Sequence, residues 1–461
     1  MRGFEGILSP LSFNEVPFDI EVIKHMIRLV VFLISSLFGS AQAVDLLDLY
    51  KEAVSHDAQY AAAKAQFLSV QERLPQAQAS RLPKINLEAG YDYNSVDADS
   101  TFSKGHREYG SYEYGVTAIQ PLYRKQNDVA IDLAQLEIIK ANTQLEMANQ
   151  NLMLRTLRAY SNVLVARTNL GTVRAQKLAV SEQLELAKRN FSVGTATITD
   201  QREAKARFDL VLAEEIAAKS DLRVSKEALQ ELVGGPVLES LAPLKMPVKL
   251  EAPVPNDINL WVQRATEQSL EMVLAQHAVG IAEARVHFNR LGAAPTVDLV
   301  GSIVDSYAGN STFGSGADTT AGVVGLRFQM PLFEGGKVNS ETREAISQYD
   351  KSSLDLEYVK RKVAQDARVA YLDYTTGIAR IDALEQALLS TKLQLESTKL
   401  GLEVGVRTAV DVLDAEKLLS EARRAMLGAI NDSILAKFQL QAVTGRLVEA
   451  DLASINELFV E

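Results

Sequence analysis

The 461-residue chain contains no cysteine, which removes disulfide frameworks, thiolate metal sites, cysteine nucleophiles and a lipidated N-terminal cysteine together. Histidine is nearly as scarce. The five copies, His25, His56, His106, His277 and His287, show no H-x-x-x-H or H-E-x-x-H spacing, so a metalloenzyme has no ligand set to start from. One Trp and 12 Pro in so long a chain leave few aromatic anchors and few chain breakers, as long helices require. Bases are outnumbered, 48 against 59 acids, which disfavours nucleic acid as a partner. Outside the N-terminal region no window supplies 18 uncharged apolar residues, which excludes a helical membrane span. No nucleophile and base stand in a usable pattern. Gly314-Ser315-Gly316 lies in a polar loop without the helix context of a phosphate cradle, so no cofactor is expected and an enzyme is the weakest reading.

The first residues that are informative read as an address. Leu29 to Phe38 is a short apolar run behind Lys24 and Arg28, followed by Ala41-Gln42-Ala43. Charge, apolar run and small residues come in the order of a secretory signal with an A-x-A cleavage site. The mature chain is expected to start at Val44. Glu5, Glu15, Asp19 and Glu21 are foreign to a signal's basic front, which makes Met26 an alternative start to Met1.

The remainder is written twice. Leu82-Pro83 recurs as Ala294-Pro295, Gln120-Pro121-Leu122-Tyr123 as Met330-Pro331-Leu332-Phe333, and Val193-Gly194-x-x-Thr197-x-x-Asp200 as Val404-Gly405-x-x-Thr408-x-x-Asp411, at offsets of 210 to 212. Gly234 and Gly445 close the two copies. So long a period means two structural halves, not a solenoid. The expected division is an N-terminal extension and signal over 1–43, a first repeat over 44–235 with a β-hairpin at 84–122, and a Pro-rich connector over 236–257. A second repeat follows over 258–446 with a hairpin at 296–332, and then a tail over 447–461.

Each half orders itself as helix, strand, strand, very long helix, helix. From Asn127 to Phe191 there is no Pro and a single Gly, Gly171. Ile131, Ile138, Leu145, Leu152, Ala159, Ala166, Val173, Val180 and Ala187 stand seven apart, a coiled-coil seam along a rod of roughly 100 Å. Leu388, Leu395 and Leu402 repeat the habit in the second half. The strand segments alternate instead: Ile85, Leu87, Ala89, Tyr91 and Tyr93 on one face, then Tyr112, Tyr114, Val116 and Ala118, then Val297, Leu299, Gly301 and Ile303, then Val324, Leu326, Phe328 and Met330. Each is read as a run of about ten residues, the length a tilted strand needs to cross a bilayer. Pro83, Pro121, Pro295 and Pro331 are placed at the junctions with helices. Solvated hairpins on a helical stalk, as in a periplasmic coiled-coil adaptor, are the competing reading. Four strands cannot close a barrel, and an open edge is not viable in hydrocarbon. Membrane-embedded hairpins must therefore be pooled between chains, and three chains would give twelve strands.

The doubled order, the Q-P-L-Y and M-P-L-F strand ends, and above all Val404-Gly405-Val406-Arg407-Thr408-Ala409-Val410-Asp411-Val412-Leu413-Asp414 resemble the TolC family of outer-membrane channel-tunnels, over nearly all of the mature chain. The resemblance implies an α+β membrane protein: internally duplicated coiled-coil helices and four strands per chain, joined as a homotrimer into a twelve-stranded barrel on a periplasmic helical tunnel. It also implies a non-catalytic duct for type I secretion or drug efflux, seated in outer-membrane lipid. A periplasmic adaptor and an inner-membrane ABC or proton-driven transporter would complete it.

Asp411 and Asp414 share a helix face, and by the same resemblance that face lines the periplasmic entrance. Three chains would stack two carboxylate rings there, favouring cations and offering oxygen ligands to an inhibitory multivalent cation, with no resident metal. Asp411 also has capping-box spacing from Thr408, as Asp200 has from Thr197, so helix punctuation stays open as its role. Positions matching the family's gate links are Arg407, with Thr199 and Asp200 as acceptors and Gln183 further along. A plain solvated charge stays open for Arg407. Gly194, Thr197, Gly405 and Thr408 form the two tip turns. Two departures stand out: Leu402 where the family carries a gating Tyr, and Lys399 where it carries a Glu.

Overall fold

The structure, a computed structural model, describes residues 46–100, 103–235, 248–310 and 315–456. The signal, its cleavage at Val44 and the connector prolines Pro236, Pro243 and Pro247 lie outside the described residues. In chain order the elements are α1 (Leu46–His56), α2 (Ala58–Gln71), α3 (Arg73–Ala79), β1 (Lys84–Ser100), β2 (Ser103–Tyr123), α4 (Lys125–Ser192) and α5 (Ile198–Val233). The second half brings α6 (Ile258–Gln268), α7 (Leu270–Arg290), β3 (Thr296–Ala308), β4 (Ala317–Gln329), α8 (Lys337–Glu403), α9 (Ala409–Val443) and α10 (Glu449–Asn456).

The opening helix of each half, expected as one piece, is broken. Asp57 caps α2 with its side chain on the Tyr60 amide, and Ser269 caps α7 on the Met272 amide, both from extended backbone. An internal cap competes with helix continuation. The breaks fall at equivalent points of the two halves. Arg155 of α4 holds Asp57 with two hydrogen bonds of 2.8 and 3.0 Å, fixing the bend against the long helix.

The long helices α4 and α8 have 68 and 67 residues, each about 100 Å at 1.5 Å per residue. Of the α4 seam, Ile131, Leu152, Ala159, Ala166, Val173, Val180 and Ala187 are buried, and Ile138 and Leu145 half-buried. That burial, not propensity alone, stabilises so long a helix against its partners. Leu395 is buried between α8 and α9, flanked by Leu388 and Leu402. The largest apolar cluster lies midway along the stalk, where Tyr50 of α1, Leu152, Leu157 and Tyr160 of α4, Leu229 of α5, Ile430 and Phe438 of α9 and Leu452 beyond it converge. The end of the connector is strapped alongside: Tyr371 donates to the Asn256 side chain, Tyr374 to the Glu251 carbonyl, and Trp261 to the Pro255 carbonyl.

The four strands form one antiparallel sheet in the order β1-β2-β3-β4. Ten residues per strand is too short a reading: β1 and β2 have 17 and 21 residues, β3 and β4 13 each. The ladder continues from Tyr93↔Gly110 to Ser100↔Ser103 beyond the last rung shared with β3, Ser111↔Ala308. The sequence of that outer ribbon is mostly polar, so no strong apolar alternation marks it. Pro121 is not a junction residue either. It lies inside β2 opposite Asp298, with a bulge before Tyr123, one of the few places a sheet accommodates a proline. Met330 falls just past β4, which ends at Gln329.

Pairing sorts the side chains into two faces. Leu87 opposes Val116, Val116 opposes Ile303, and Ile303 lies level with Gly322. Ile85, Leu87, Tyr91, Tyr112, Tyr114, Val116, Leu299, Ile303, Tyr307, Val324, Leu326 and Phe328 therefore share one face, and all are exposed. The other face carries Asn86, Glu88, Asp92, Glu113, Thr117, Ser302 and Arg327 with a few apolar residues. At its base Arg124, just before α4, makes a bidentate ion pair of 2.9 and 2.6 Å to buried Asp298, tying the first-half strand end to the second-half sheet. No helix among the described residues is long and apolar enough to cross a membrane.

Candidate functional site: the two helical tips

Each half ends away from the sheet in a helical hairpin, α4 to α5 and α8 to α9. The two tips have the same backbone. Gly194 and Gly405 both sit at φ +79°, a left-handed conformation that favours glycine. Thr197 and Thr408 cap the following helices. The Thr197 amide donates to Asp200 at 2.8 Å and the Asp200 amide to the Thr197 hydroxyl at 3.2 Å, and Thr408 and Asp411 repeat both distances. Both carboxyls are held below the ordinary aspartate range, chiefly by the donated threonine amide. The helix-start role left open for Asp411 is thus real.

Charge separates the tips. Arg407 lies in the second turn, where the first has Ala196. Its amide donates to the Gly401 carbonyl, and its side chain lies so close over Gly401 that an added Cβ would meet the Arg407 Cγ at 2.7 Å. Arg407, Asp411 and Asp414 line one open groove between α8 and α9, together with Gly401, Lys417 and Glu421. Among the described residues no hydrogen bond or ion pair joins Arg407 to Thr199, Asp200 or Gln183 of the same chain. Gln183 is half-buried, and its Oε1 is buried without a hydrogen-bond donor.

Several residues that matter here carry no signature in the sequence. Arg207 of α5 reaches across to Asp414 at 2.7 Å, and Glu214 one heptad further along α5 meets Arg424 of α9 at 3.3 Å. Both pairs span more than 200 residues of chain, so no local spacing could flag them. The two departures from the family pattern have structural partners. Lys399 pairs with Glu416 at 2.7 Å across the α8/α9 hairpin, and Leu402 packs on the seam of Leu395, Val412, Ala415 and Leu419.

A sheet with one exposed apolar face, standing on coiled-coil hairpins of bilayer-exceeding length, defines a membrane-anchored channel-tunnel subunit. The sequence profile of the family described as "Outer membrane efflux protein" matches residues 49–235 and 261–446. The chain belongs to that family, and it is an outer-membrane efflux duct. It is 33% identical to the outer membrane protein TolC of Vibrio cholerae over 429 residues, 92% of this chain and 95% of that protein. It is 30% identical to the alkaline protease secretion protein AprF of Pseudomonas aeruginosa, covering 91% of this chain and 88% of that one. Among solved structures, the outer membrane protein VceC of Vibrio cholerae shares the fold at a TM-score of 0.72 and 21% identity, over 87% of this chain and 96% of that chain. The CmeC outer membrane channel of Campylobacter jejuni does so at 0.76 and 15%, over 89% and 88%.

Proposed function

We propose that three copies of this chain close a twelve-stranded barrel in the outer membrane and continue as a helical tunnel into the periplasm. The observation that carries this reading is the sheet itself. Among the described residues β1 and β4 are edge strands, one face of the four-stranded part is mainly apolar and exposed, and four strands are about half of what a closed barrel needs. Unpaired edges in hydrocarbon are too costly to persist, so neighbouring chains supply the missing partners. The two-half division of the chain, with the end of the connector strapped to α8, gives each subunit two hairpins, and three subunits give the six that ring a tunnel.

In this reading the duct catalyses nothing. It passes proteins or small toxic compounds outward when docked to a periplasmic adaptor and an inner-membrane ABC or proton-driven transporter. A relative named for alkaline protease secretion supports protein cargo. The entrance lies at the second tip. Asp411 and Asp414 from three chains form its carboxylate rings, attracting cations and repelling anions. Arg407 closes it by reaching Thr199 and Asp200 of a neighbouring chain, and Gln183 finds there the donor it lacks within its own. Leu402 brings no hydroxyl to that closure.

Mass measurement of the full chain in mild detergent, after extraction from outer-membrane fractions, tests the assembly. The expected result is a trimer. A monomer in the soluble fraction would refute the reading.

A further inference from the structure

We infer that Arg327 of one chain pairs with Glu88 of the next, across the seam where β4 of one copy meets β1 of another, and that this contact fixes the register of the closed barrel. It rests on the reading of three chains sharing one barrel.

Both side chains stand on the polar face of the sheet, Arg327 alternating with Leu326 and Phe328, and Glu88 with Leu87 and Ala89. Both are exposed, and each is denied a partner within its own chain. Arg327 lies directly opposite Asp298, but the two oxygens of that carboxylate are taken by Arg124 at 2.9 and 2.6 Å. Glu88 lies opposite Gly115, which has no side chain to offer. Among the described residues no hydrogen bond or ion pair engages either one. They also sit on β4 and β1, the two strands with an open edge for a second copy.

Closure then leaves little choice of register. Along one row of the sheet, Lys84 on β1 faces Ile119, Ile119 faces Val300, and Val300 faces Gly325 on β4. In a closed barrel of tilted strands that row arrives on the neighbour's β1 higher than it began, and the rise must be even, since an odd one would turn Arg327 to the lipid. With residues about 3.3 Å apart along a strand and strands about 4.8 Å apart, a rise of four residues per chain tilts the strands by about 35° and a rise of six by about 46°. A rise of two gives about 19° and a rise of eight about 54°, well outside the roughly 35–45° usual in barrels. Four sets Arg327 opposite Asn86 with Glu88 on the diagonal, and six sets it opposite Glu88 itself. Either way the two backbones stand within roughly 5 to 8 Å, inside the reach of an arginine.

The seam needs such a marker. Backbone pairing alone is indifferent to slips of two residues, and the 13 residues of β4 carry just two charges, Asp318 near the outer end and Arg327 near the foot. A slip down to a rise of two would bring Arg327 opposite Lys84, like charge on like.

Because the chain has no cysteine, engineered pairs report the register without background. In the purified full-length protein, Ala321→Cys combined with Asp92→Cys reads a rise of four, and combined with Asn94→Cys a rise of six. One of these should give a disulfide-linked trimer on mild oxidation. Linkage through Gly90→Cys or Glu88→Cys instead, rises of two and zero, would overturn the register, as would failure of all four pairs in an intact trimer. Charge supplies a second readout. Arg327→Glu should lower the temperature at which the detergent trimer dissociates by about 5 °C, and adding Glu88→Arg should recover most of that loss. A double variant no more stable than Arg327→Glu would remove the ion pair. A parent chain that stays monomeric would defeat the shared barrel itself, whereas an intact trimer with the wrong cross-links would defeat this register alone.

Discussion

The two hairpins of this chain share one plan and differ in what fills it. Their tips superpose residue for residue in cap, turn and glycine conformation, yet the α4/α5 seam holds buried Glu215 where the α8/α9 seam, 211 residues on, holds buried Met426. Glu215 is neutralised by Lys177 and Lys219 at 2.7 Å each, with Arg174 at 3.7 Å. The second hairpin has a close approach of its own. Gly377 of α8 faces Ser433 of α9, and an added Cβ would stand 2.3 Å from the Ser433 oxygen, whereas the first hairpin has Ala166 at the matching place. The backbone needs are kept in both halves, while single seam positions differ: Glu215 against Met426, and Ala166 against Gly377.

The largest test of that difference lies in the glycines of the long helices. Gly377→Leu should destabilise the second hairpin by about 3 kcal/mol, because the side chain enters a filled helix contact. Gly171→Ala in α4 meets nothing within 4 Å, and it should instead stabilise by about 0.5–1 kcal/mol through helix propensity. Urea unfolding followed by helical circular dichroism reads both. Shifts of the same sign would erase the contrast.

A smaller effect is expected at the caps, where the halves should behave alike. Thr197→Ala and Thr408→Ala should each cost about 1 kcal/mol, seen as faster amide exchange in the first turns of α5 and α9. A cost at one tip only would show that the shared geometry conceals unequal strain.

The smallest contrast is with pH. Hydrogen bonding, first from Lys177 and then from Lys219, lowers the Glu215 carboxyl to about 2. A depressed carboxyl contributes stability that is complete above the ordinary glutamate range and is lost as pH falls through the depressed value. The first hairpin should thus weaken between about pH 5 and about pH 2, a dependence for which Met426 gives the second no counterpart. Glu215→Gln should flatten the thermal-unfolding midpoint across that window. An unchanged slope would place the acid sensitivity elsewhere.

Much of the fold was legible in the sequence because it is periodic. The heptads of α4 survive as buried residues, and the alternation of Leu87, Val116, Ile303 and Val324 survives as one exposed apolar face. The outer ribbon of β1 and β2 is hard to read because its sequence, Asn94 to Ser100 and Ser103 to Tyr109, is mostly polar. The helix breaks at Asp57 and Ser269 depend on single side-chain caps, which weigh little against helical composition on either side. Arg207, Glu214 and Arg424 were invisible for a different reason: a pair 207 or 210 residues apart has no local period, and only the packing of one hairpin on the other brings it together. Nothing in the sequence around Gly401 announces that the Arg407 side chain lies across it.

On the proposed reading the two tips, alike in cap geometry, serve different ends: the second lines the entrance with carboxylates, and the first supplies acceptors that close it. Block of single channels by a trivalent cation added on the periplasmic side tests this most directly. The parent should be blocked at micromolar concentration, and so should a first-tip variant, Asp200→Asn with Glu203→Gln. A second-tip variant, Asp411→Asn with Asp414→Asn, keeps a side-chain carbonyl for the Thr408 amide and should resist block by about a hundredfold, as expected when clustered oxygen ligands lose their charge. If the second-tip variant is blocked as readily as the parent, the carboxylate rings do not stand at the entrance, and Asp411 is left with the same helix-capping duty as Asp200.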